Sequence, residues 1–222
     1  QAWAVGADGV GLFRTEILFI KAGRLVSEQQ QYDYYLKVTD MMHGKPVTFR
    51  MLDIGGDKPL PFLRIKQEAN PYLGWRGSRF LLGNPDFFQT QIRAMGKVSC
   101  MNKIKILFPM VIDVNQMKAL LDAADSALKE VQCDRKNIEF GAMFEVPSAF
   151  LQASKIYELV DFGSIGSNDL IQYLFAIDRT NELVSQDYNP EHPVLWEMLS
   201  SLSEIARKHG KPLSICGEMA GR

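Results

Sequence analysis

IKILFPM (Ile104–Met110) and IEFGAMFEV (Ile138–Val146) are two short apolar runs, and a helical pattern from Asn115 to Val131 separates them. Within that pattern the apolar residues recur at spacings of three and four, which is typical of an amphipathic helix. Both flanking runs are too continuous for a half-exposed strand, so they predict strands that are covered on both faces. This stretch therefore predicts a strand–helix–strand unit.

The same alternation extends in both directions along the chain. One helical pattern begins at Ser27, which with Gln30 suits a capping box, and reaches about Met42; another runs from about Pro193 to His209. Shorter helices are predicted from Gly77 to Leu82, from Asp86 into the 90s and from Pro147 to about Leu159. The remaining apolar runs are Gly9–Phe13, Val47–Leu52, Phe162–Ile165 and Leu213–Cys216. Repeated strand–helix–strand order implies a parallel sheet with right-handed crossovers.

Two parallel folds fit this order, an open doubly wound sheet and a closed TIM-type (β/α)8 barrel. An open sheet binds its ligand at one switch point, whereas a barrel gathers residues from many strand ends at one face. Polar residues follow all six predicted strands, which favours the barrel, with two strands missing from this chain. No proline- or glycine-rich linker and no repeat divides the sequence, so residues 1–222 are predicted to form one partial barrel domain.

Composition excludes several classes of protein. The 222 residues include 25 Lys and Arg against 26 Asp and Glu, so there is no basic surface for nucleic acid or for a membrane. No apolar run approaches the roughly 18 residues of a membrane span, and the first residues lack the features of a signal peptide. The three cysteines are widely spaced, which argues against a disulfide framework or a zinc site and favours a reducing compartment. Cys100 and Cys133 are interpreted as structural.

Four arginines stand out because they lie at strand ends or in loops that could join them. Burying an unpaired guanidinium costs several kcal/mol, so each needs an anion or a carboxylate. Together they would suit a ligand with more than one anionic group, and the alternative is that each one pairs with a structural Asp or Glu. These residues are Arg14, Arg50, Arg76 and Arg179.

Two carboxylates and one thiol follow later strands. Glu145 and Asp169 end consecutive strands and could hold Mg2+, which takes one or two carboxylates and completes its shell with water and phosphate oxygens. The alternative is that they pair with the arginines. Cys216 ends the last apolar run and is either a small buried hydrophobe or a catalytic group. The glycine-rich piece Gly55–Lys58 lacks the Gly-Lys-Ser/Thr ending of a P-loop.

Seven strings in this order resemble the C-terminal phosphoenolpyruvate-binding barrel of the enzyme I family of the bacterial phosphoenolpyruvate:sugar phosphotransferase system. They are GVGLFRTEILF, RMLDIGGDKPLP, NPYLGWRGSR, FPMV, GAMFEVPSA, GSIGSNDLIQYLFAIDR and ICGEMAG. Pyruvate phosphate dikinase and phosphoenolpyruvate synthase share the barrel and several motifs, but LDIGGDK, LGWRG and AIDR are closer to enzyme I. The resemblance covers nearly the whole chain.

The resemblance implies specific roles. A full-length protein of this kind would transfer the phosphoryl group of phosphoenolpyruvate to a histidine on a separate N-terminal domain and release pyruvate. It would then pass the phosphate to the phosphocarrier protein HPr. It would act in the cytoplasm, with Mg2+, as a homodimer. Cys216 matches the cysteine that protonates the enolate of pyruvate, and Glu145 and Asp169 match the Mg2+ ligands. The matching substrate-binding residues are Arg14, Arg50, Arg76, Asn168, Asp169 and Arg179.

Some features depart from that family. The phosphohistidine domain and the first and eighth barrel strands are expected to lie outside this chain, so this chain alone should not phosphorylate HPr. Ser167 stands where the family often has threonine, with little expected effect because both carry a hydroxyl. Two other functions stay open: the barrel of a dikinase or synthase, and a non-catalytic module that senses phosphoenolpyruvate.

Overall fold

A computed structural model describes residues 6–54, 68–133 and 135–221 of the chain. The glycine-rich piece Gly55–Lys58 and the terminal residues Gln1–Val5 and Arg222 lie outside the described residues. In the described ranges the strands are β1 Val10–Arg14, β2 Val47–Arg50, β3 Ile104–Phe108, β4 Ile138–Phe144, β5 Phe162–Gly166 and β6 Leu213–Cys216. The α-helices are α1 Glu16–Ala22, α2 Glu28–Asp40, α3 Gly77–Gly83, α4 Pro85–Ser99, α5 Val114–Glu130, α6 Pro147–Leu151, α7 Ala153–Leu159, α8 Ser167–Leu174 and α9 Pro193–Lys208.

The strand order distinguishes between the two predicted folds. The six strands are neighbours in sequence order, from β1 to β6. The pairs β1–β2, β2–β3, β4–β5 and β5–β6 are all parallel. A doubly wound sheet reverses its strand order at a switch point, and this order never reverses. The chain therefore has the incomplete TIM-type (β/α)8 barrel fold that was predicted, with six strands.

The chain forms two compact units. Unit 1 comprises residues 1–109 and 119–140, and unit 2 comprises residues 110–118 and 141–222. In unit 1 the core is rich in aromatic rings, with Tyr35 and Phe49 at 5.1 Å and Phe108 stacked on Phe140 at 5.7 Å. In unit 2 the rings of Phe144 and Tyr157 stack at 5.3 Å. Each unit buries its own apolar residues, and the prediction of a single domain stays a prediction.

Most of the predicted helices are confirmed, with two differences. The helix predicted from Pro147 to Leu159 is divided at Gln152, whose backbone leaves helical geometry and whose side chain accepts a hydrogen bond from the Val114 N–H. The short helices α1 and α8, seven and eight residues long, were not predicted. The capping box of Ser27 and Gln30 is present as expected.

Burial varies along the sheet: β3 and β4, whose apolar runs predicted covered strands, are buried at most residues. Strands β2 and β5 are buried at every residue. In contrast, β1 and β6 are half-exposed, and each pairs with one strand in the part of the chain that the structure describes. Ile215 in β6 is 39 % exposed. Among the described residues, no helix has the length and apolar character needed to cross a membrane.

Candidate active site

Unit 1 holds a group of charged side chains, which we call the cationic cluster: Arg14, Glu16, Arg50, Asp53 and Arg76. Its centre is Arg50, the last residue of β2, whose side chain is only 7 % exposed. Arg50 forms ion pairs with Glu16 and with Asp53, the latter at 3.4 Å between Nη1 and Oδ2. Both carboxylates are buried. The guanidinium is therefore held by two acids in a place where bulk water does not screen them.

The other two arginines share those same acids. Arg76 donates two hydrogen bonds to Asp53, from Nε at 3.3 Å and from Nη2 at 2.9 Å, and is itself buried. Arg14 reaches Glu16 with Nε at 3.1 Å, and its side chain is 46 % exposed. Among the described residues, three guanidiniums thus share the carboxylates of Glu16 and Asp53.

A buried neutral network supports this cluster. The Gln91 amide Nε2 donates to Thr15 Oγ1 at 3.1 Å and to Tyr35 Oη at 3.0 Å, and its oxygen accepts from the Leu52 N–H. Thr15 in turn donates to the Arg50 carbonyl at 2.8 Å. Burial raises the pKa of Tyr35, so its hydroxyl remains neutral. The network holds the backbone from the Arg50 carbonyl to the Leu52 N–H in place.

Unit 2 holds the second group, which we call the acidic cluster: Glu145, Asp169 and Arg179. Glu145 directly follows β4 and is 1 % exposed. Its Oε1 accepts a hydrogen bond of 2.6 Å from the Met110 N–H. Its Oε2 lies 2.3 Å from the position that a Cβ would take at Gly166, so only glycine leaves room for the carboxylate. This contact brings Glu145 to the end of β5, three residues before Asp169.

Asp169 lies in the first turn of α8 and is 7 % exposed. Its Oδ1 is 3.4 Å from Nη1 of Arg179, a long contact for an ion pair. The Arg179 backbone N–H donates to Gln172 Oε1 at 3.3 Å, which holds the arginine loop against α8. Two buried carboxylates, Glu145 and Asp169, therefore follow the consecutive strands β4 and β5.

The turn after β6 is tied to the start of α8. Asn168 Oδ1 accepts from the Glu218 N–H at 3.0 Å and from Tyr188 Oη at 3.4 Å. Gly217 has a φ of +92°, and a Cβ there would lie 2.3 Å from Ser167 Oγ. A glycine is therefore required for this close approach. The Asn168 oxygen is already engaged in the turn, and its Nδ2 makes no hydrogen bond within the described residues.

Cys216 is a half-buried thiol at the end of β6. Its Sγ donates to the Ile165 carbonyl at 3.3 Å, and its own carbonyl accepts from Ser167 Oγ at 2.7 Å. The thiol therefore lies at the carboxyl end of a strand of unit 2, as Glu145 and Asp169 do. The Ser167 hydroxyl donates a hydrogen bond to the Cys216 backbone, which a threonine hydroxyl could also do.

Sequence reasoning found the arginines but not all of their partners. Each of the four arginines has a carboxylate partner, as the structural alternative expected. Glu16 and Asp53 stand next to the predicted residues in sequence, so their proximity was a usable signal. Gln91 had no such signal, because it is one of several polar residues in α4 and lies 39 residues from Leu52 in sequence.

The donor set of the acidic cluster fits a hard divalent cation. Glu145 and Asp169 supply carboxylate oxygens, and Mg2+ uses one or two carboxylates with water and phosphate for the rest. Among the described residues there is no group of three or more His, Cys, Asp or Glu side chains arranged for a metal. A Mg2+ ion here would therefore depend on oxygens of water or substrate.

Fold and strand-end residues define an α/β protein of the barrel class that presents charged side chains after several parallel strands. A model of the family described as "PEP-utilising enzyme, PEP-binding domain" matches residues 1–222, where PEP is phosphoenolpyruvate. The chain belongs to this family.

Several curated relatives share close sequence similarity. Phosphoenolpyruvate-protein phosphotransferase of Bacillus subtilis is 44 % identical over 220 residues, which cover 97 % of this chain and 39 % of that protein. The protein of the same name from Haemophilus influenzae is 39 % identical over 220 residues, covering 97 % of this chain and 38 % of its own length. The chain thus spans about two fifths of the length of these relatives.

Solved structures show the same fold at low sequence identity. A citrate synthase, SbnG, superposes with a TM-score of 0.55 at 13 % identity, covering 97 % of this chain and 70 % of its own. A citrate lyase from Burkholderia xenovorans LB400 also gives 0.55, at 14 % identity, with 94 % and 63 % covered. At this identity the likeness concerns the fold alone.

Proposed function

We propose that this chain is the phosphoenolpyruvate-binding part of a phosphoenolpyruvate-protein phosphotransferase. The observation that carries the proposal is the cationic cluster, in which three guanidiniums face two buried carboxylates. Clustered guanidiniums fork onto carboxylate and phosphate oxygens and therefore favour an anionic ligand. Phosphoenolpyruvate carries both of these groups. The names of the curated relatives support the same substrate.

The residues proposed to bind phosphoenolpyruvate are Arg14, Arg50, Arg76, Asn168, Asp169 and Arg179. Arg14 is the most exposed residue of the cationic cluster, so its side chain is accessible to a ligand. Arg50 and Arg76 are held by Asp53, so their positions are set before the ligand arrives. Preorganised charges stabilise a transferring phosphoryl group without the cost of reorganisation.

Glu145 and Asp169 are proposed to hold Mg2+. When bound, the ion would neutralise charge on the phosphoryl group and on the leaving oxygen. The backbone N–H of Met110 and the bare backbone of Gly166 fix the Glu145 carboxylate in one orientation. The contact with Arg179 is long enough for Asp169 to exchange it for another cation.

Cys216 is proposed to be the proton donor. Transfer of the phosphoryl group leaves an enolate, which becomes pyruvate when its methylene carbon gains a proton. The contact of Cys216 Sγ with the Ile165 carbonyl at 3.3 Å holds the sulfur in place, and a protonated thiol there would act as the general acid. Asn168 is proposed to offer its Nδ2 to the substrate while its oxygen holds the neighbouring turn.

Calorimetric titration of phosphoenolpyruvate into this chain tests the binding proposal directly. Mg2+-dependent binding is expected, and Arg50→Ala should weaken it by at least tenfold. The matched control is Arg135→Ala, which removes an arginine of unit 1 that pairs at the surface with Asp125 at 2.9 Å. Equal affinity of Arg50→Ala and Arg135→Ala would refute the role of the cationic cluster, provided that both variants show the circular dichroism of the parent chain.

The activity of a longer protein is part of the same proposal. It would phosphorylate a histidine outside this chain and through it HPr, act as a homodimer, and work in the cytoplasm. In that protein Cys216→Ala should keep phosphoenolpyruvate affinity within about threefold while turnover falls by at least a hundredfold. If Cys216→Ala retained turnover, the proton would come from another group.

A further inference from the structure

Two cysteines that the proposed function does not use lie side by side. Cys100 Sγ and Cys133 Sγ are 2.8 Å apart, although 33 residues separate them in sequence. We propose that Cys100 and Cys133 form a reversible disulfide when the protein meets a peroxide, so that this pair is a site of oxidative modification. The inference does not depend on phosphoenolpyruvate binding.

The packing of α4 and α5 explains why the two thiols meet. Cys100 immediately follows α4, and Cys133 follows α5. Gly96 in the last turn of α4 lies against the other segment: a Cβ there would be 2.6 Å from Leu128 and 3.8 Å from the Cβ of Cys133. The lack of a side chain at Gly96 therefore allows the close approach.

Backbone contacts hold both thiols in this arrangement. The Cys100 thiol lies 3.6 Å from the Gly96 carbonyl, and the Cys133 thiol lies 3.5 Å from the Val131 carbonyl. The Cys133 N–H also donates to the Leu128 carbonyl at 3.3 Å. Since a disulfide bond is about 2.05 Å long, closing it requires the sulfurs to approach by only about 0.8 Å.

The two thiols differ in access, which sets the order of the chemistry. Cys100 is exposed and Cys133 is half-buried, so an oxidant reaches Cys100 first. Burial, with a contribution from the Cys100 side chain, raises the pKa of Cys133 to about 12, so its proton stays on sulfur until the second step. An accessible cysteine beside a resolving cysteine is the usual arrangement of a redox-active pair.

The reaction balances with hydrogen peroxide as the two-electron oxidant. Cys100 sulfur, having lost its proton, attacks one peroxide oxygen, the O–O bond breaks, and the remaining oxygen leaves as water after protonation. The product is a sulfenic acid at Cys100. Cys133 sulfur then attacks that sulfur, the S–O bond breaks, and the hydroxyl leaves as water with the Cys133 proton. Two thiols and one peroxide thus give one disulfide and two waters.

Peroxide treatment of the intact 222-residue chain, followed by mass spectrometry without reduction, tests this proposal. The mass of the monomer should fall by about 2 Da, and one cross-linked peptide should join Cys100 to Cys133. Free thiols should fall from three to one, and dithiothreitol should restore all three. Oxidation should also raise the melting temperature by roughly 5 °C, because the cross-link restricts the unfolded chain.

Variants separate this pair from other cysteine chemistry. Cys100→Ser and Cys133→Ser should each abolish the cross-link, while the matched control Cys216→Ser should keep it. Gly96→Ala should slow its formation by at least fivefold. The proposal would be overturned if Cys133 stayed a thiol while Cys100 formed a stable sulfinic acid, a link to Cys216 or a link to a second chain. The peptide map of the unaltered chain decides this even if a variant does not fold.

Discussion

The cationic cluster of unit 1 and the acidic cluster of unit 2 use the same residue types in opposite proportion. In unit 1, two buried carboxylates serve three guanidiniums, and the acids fix the arginines. In unit 2, Asp169 Oδ1 lies 3.4 Å from Nη1 of Arg179, and Glu145 is oriented by a backbone N–H. The comparison indicates that acids are structural supports in one cluster and candidate ligands in the other.

The largest effect is expected from removing an acid in unit 1. Asp53→Ala leaves Arg50 and Arg76 without the carboxylate that they share in a buried place. Removing one partner of a buried pair costs about 3–5 kcal/mol, so the free energy of unfolding should fall by that amount in urea titrations.

The control for this variant is Asp125→Ala, which breaks the surface pair with Arg135 and should cost less than about 1 kcal/mol. If the two variants were equally stable, the acids of the cationic cluster would not support its arginines. The two clusters would then not differ in how their acids contribute to stability.

The next largest effect concerns the neutral network behind the arginines. Gln91→Ala leaves the Thr15 hydroxyl, the Tyr35 hydroxyl and the Leu52 N–H each without one buried partner. A loss of about 2–3 kcal/mol in unfolding free energy is expected, together with weaker phosphoenolpyruvate binding. Gln116→Ala, which removes one hydrogen bond from the Ile112 N–H, is the control and should cost about 1 kcal/mol or less. Unchanged binding in Gln91→Ala would limit the network to a role in stability.

The sequence predicted the strands well because their signal is local. Continuous apolar runs such as Ile104–Met110 indicate buried strands, and the observed strand Ile104–Phe108 lies inside that run. The helices α1 and α8 were missed because seven or eight residues hold too few turns for a periodic pattern, and each begins with polar residues that follow a strand.

The candidate site was less accessible to sequence reasoning. Strand-end position identified Arg50 and Glu145, but the pairing of Arg50 with Glu16 joins residues 34 apart in sequence and follows from strand packing. The contact of Cys100 with Cys133 is equally remote, and neither cysteine lies in a Cys-x-x-Cys motif. The cysteine contact depends on packing around Gly96, which residue spacing does not reveal.

A smaller effect on stability is expected when an acid of unit 2 is neutralised. Glu145→Gln keeps an oxygen for the Met110 N–H, so the unfolding free energy should change by about 1 kcal/mol or less. If the proposed binding occurs, Mg2+ and phosphoenolpyruvate should raise the melting temperature of the unaltered chain, and this rise should be absent in the variant.

Glu139→Gln is the matched control, because it removes a surface acid that pairs with Lys105. It should retain the full response to Mg2+ and phosphoenolpyruvate. A large loss of stability in Glu145→Gln, combined with a normal response to Mg2+, would make Glu145 a structural acid like Asp53 and remove the contrast between the clusters.

The smallest effect tests whether burial, rather than charge composition, makes the cationic cluster costly to disrupt. Glu28 at the start of α2 also serves two cations, Arg93 at 2.8 Å and Lys97 at 2.6 Å, but its side chain is 25 % exposed. Burial acts to raise the pKa of Glu28, yet the hydrogen bonds from Lys97 and Arg93 outweigh it and hold this pKa below its ordinary value of 4.5. A depressed pKa means that the charged form is favoured by folding, so its contribution is complete above pH 4.5 and is lost as the pH falls through the folded-state pKa.

Glu28→Gln should therefore lower the unfolding free energy by about 0.5–1 kcal/mol at pH 7 and by less at each step below pH 4.5. Urea titrations of parent and variant at several pH values measure this difference, and added salt should reduce it at pH 7 because the pairs are partly solvated. A loss as large as that of Asp53→Ala would mean that two cations around one acid are costly to break wherever they lie. A small, salt-sensitive loss would instead locate the difference in the exclusion of water around Arg50 and Arg76, since both sets share the same kinds of charge.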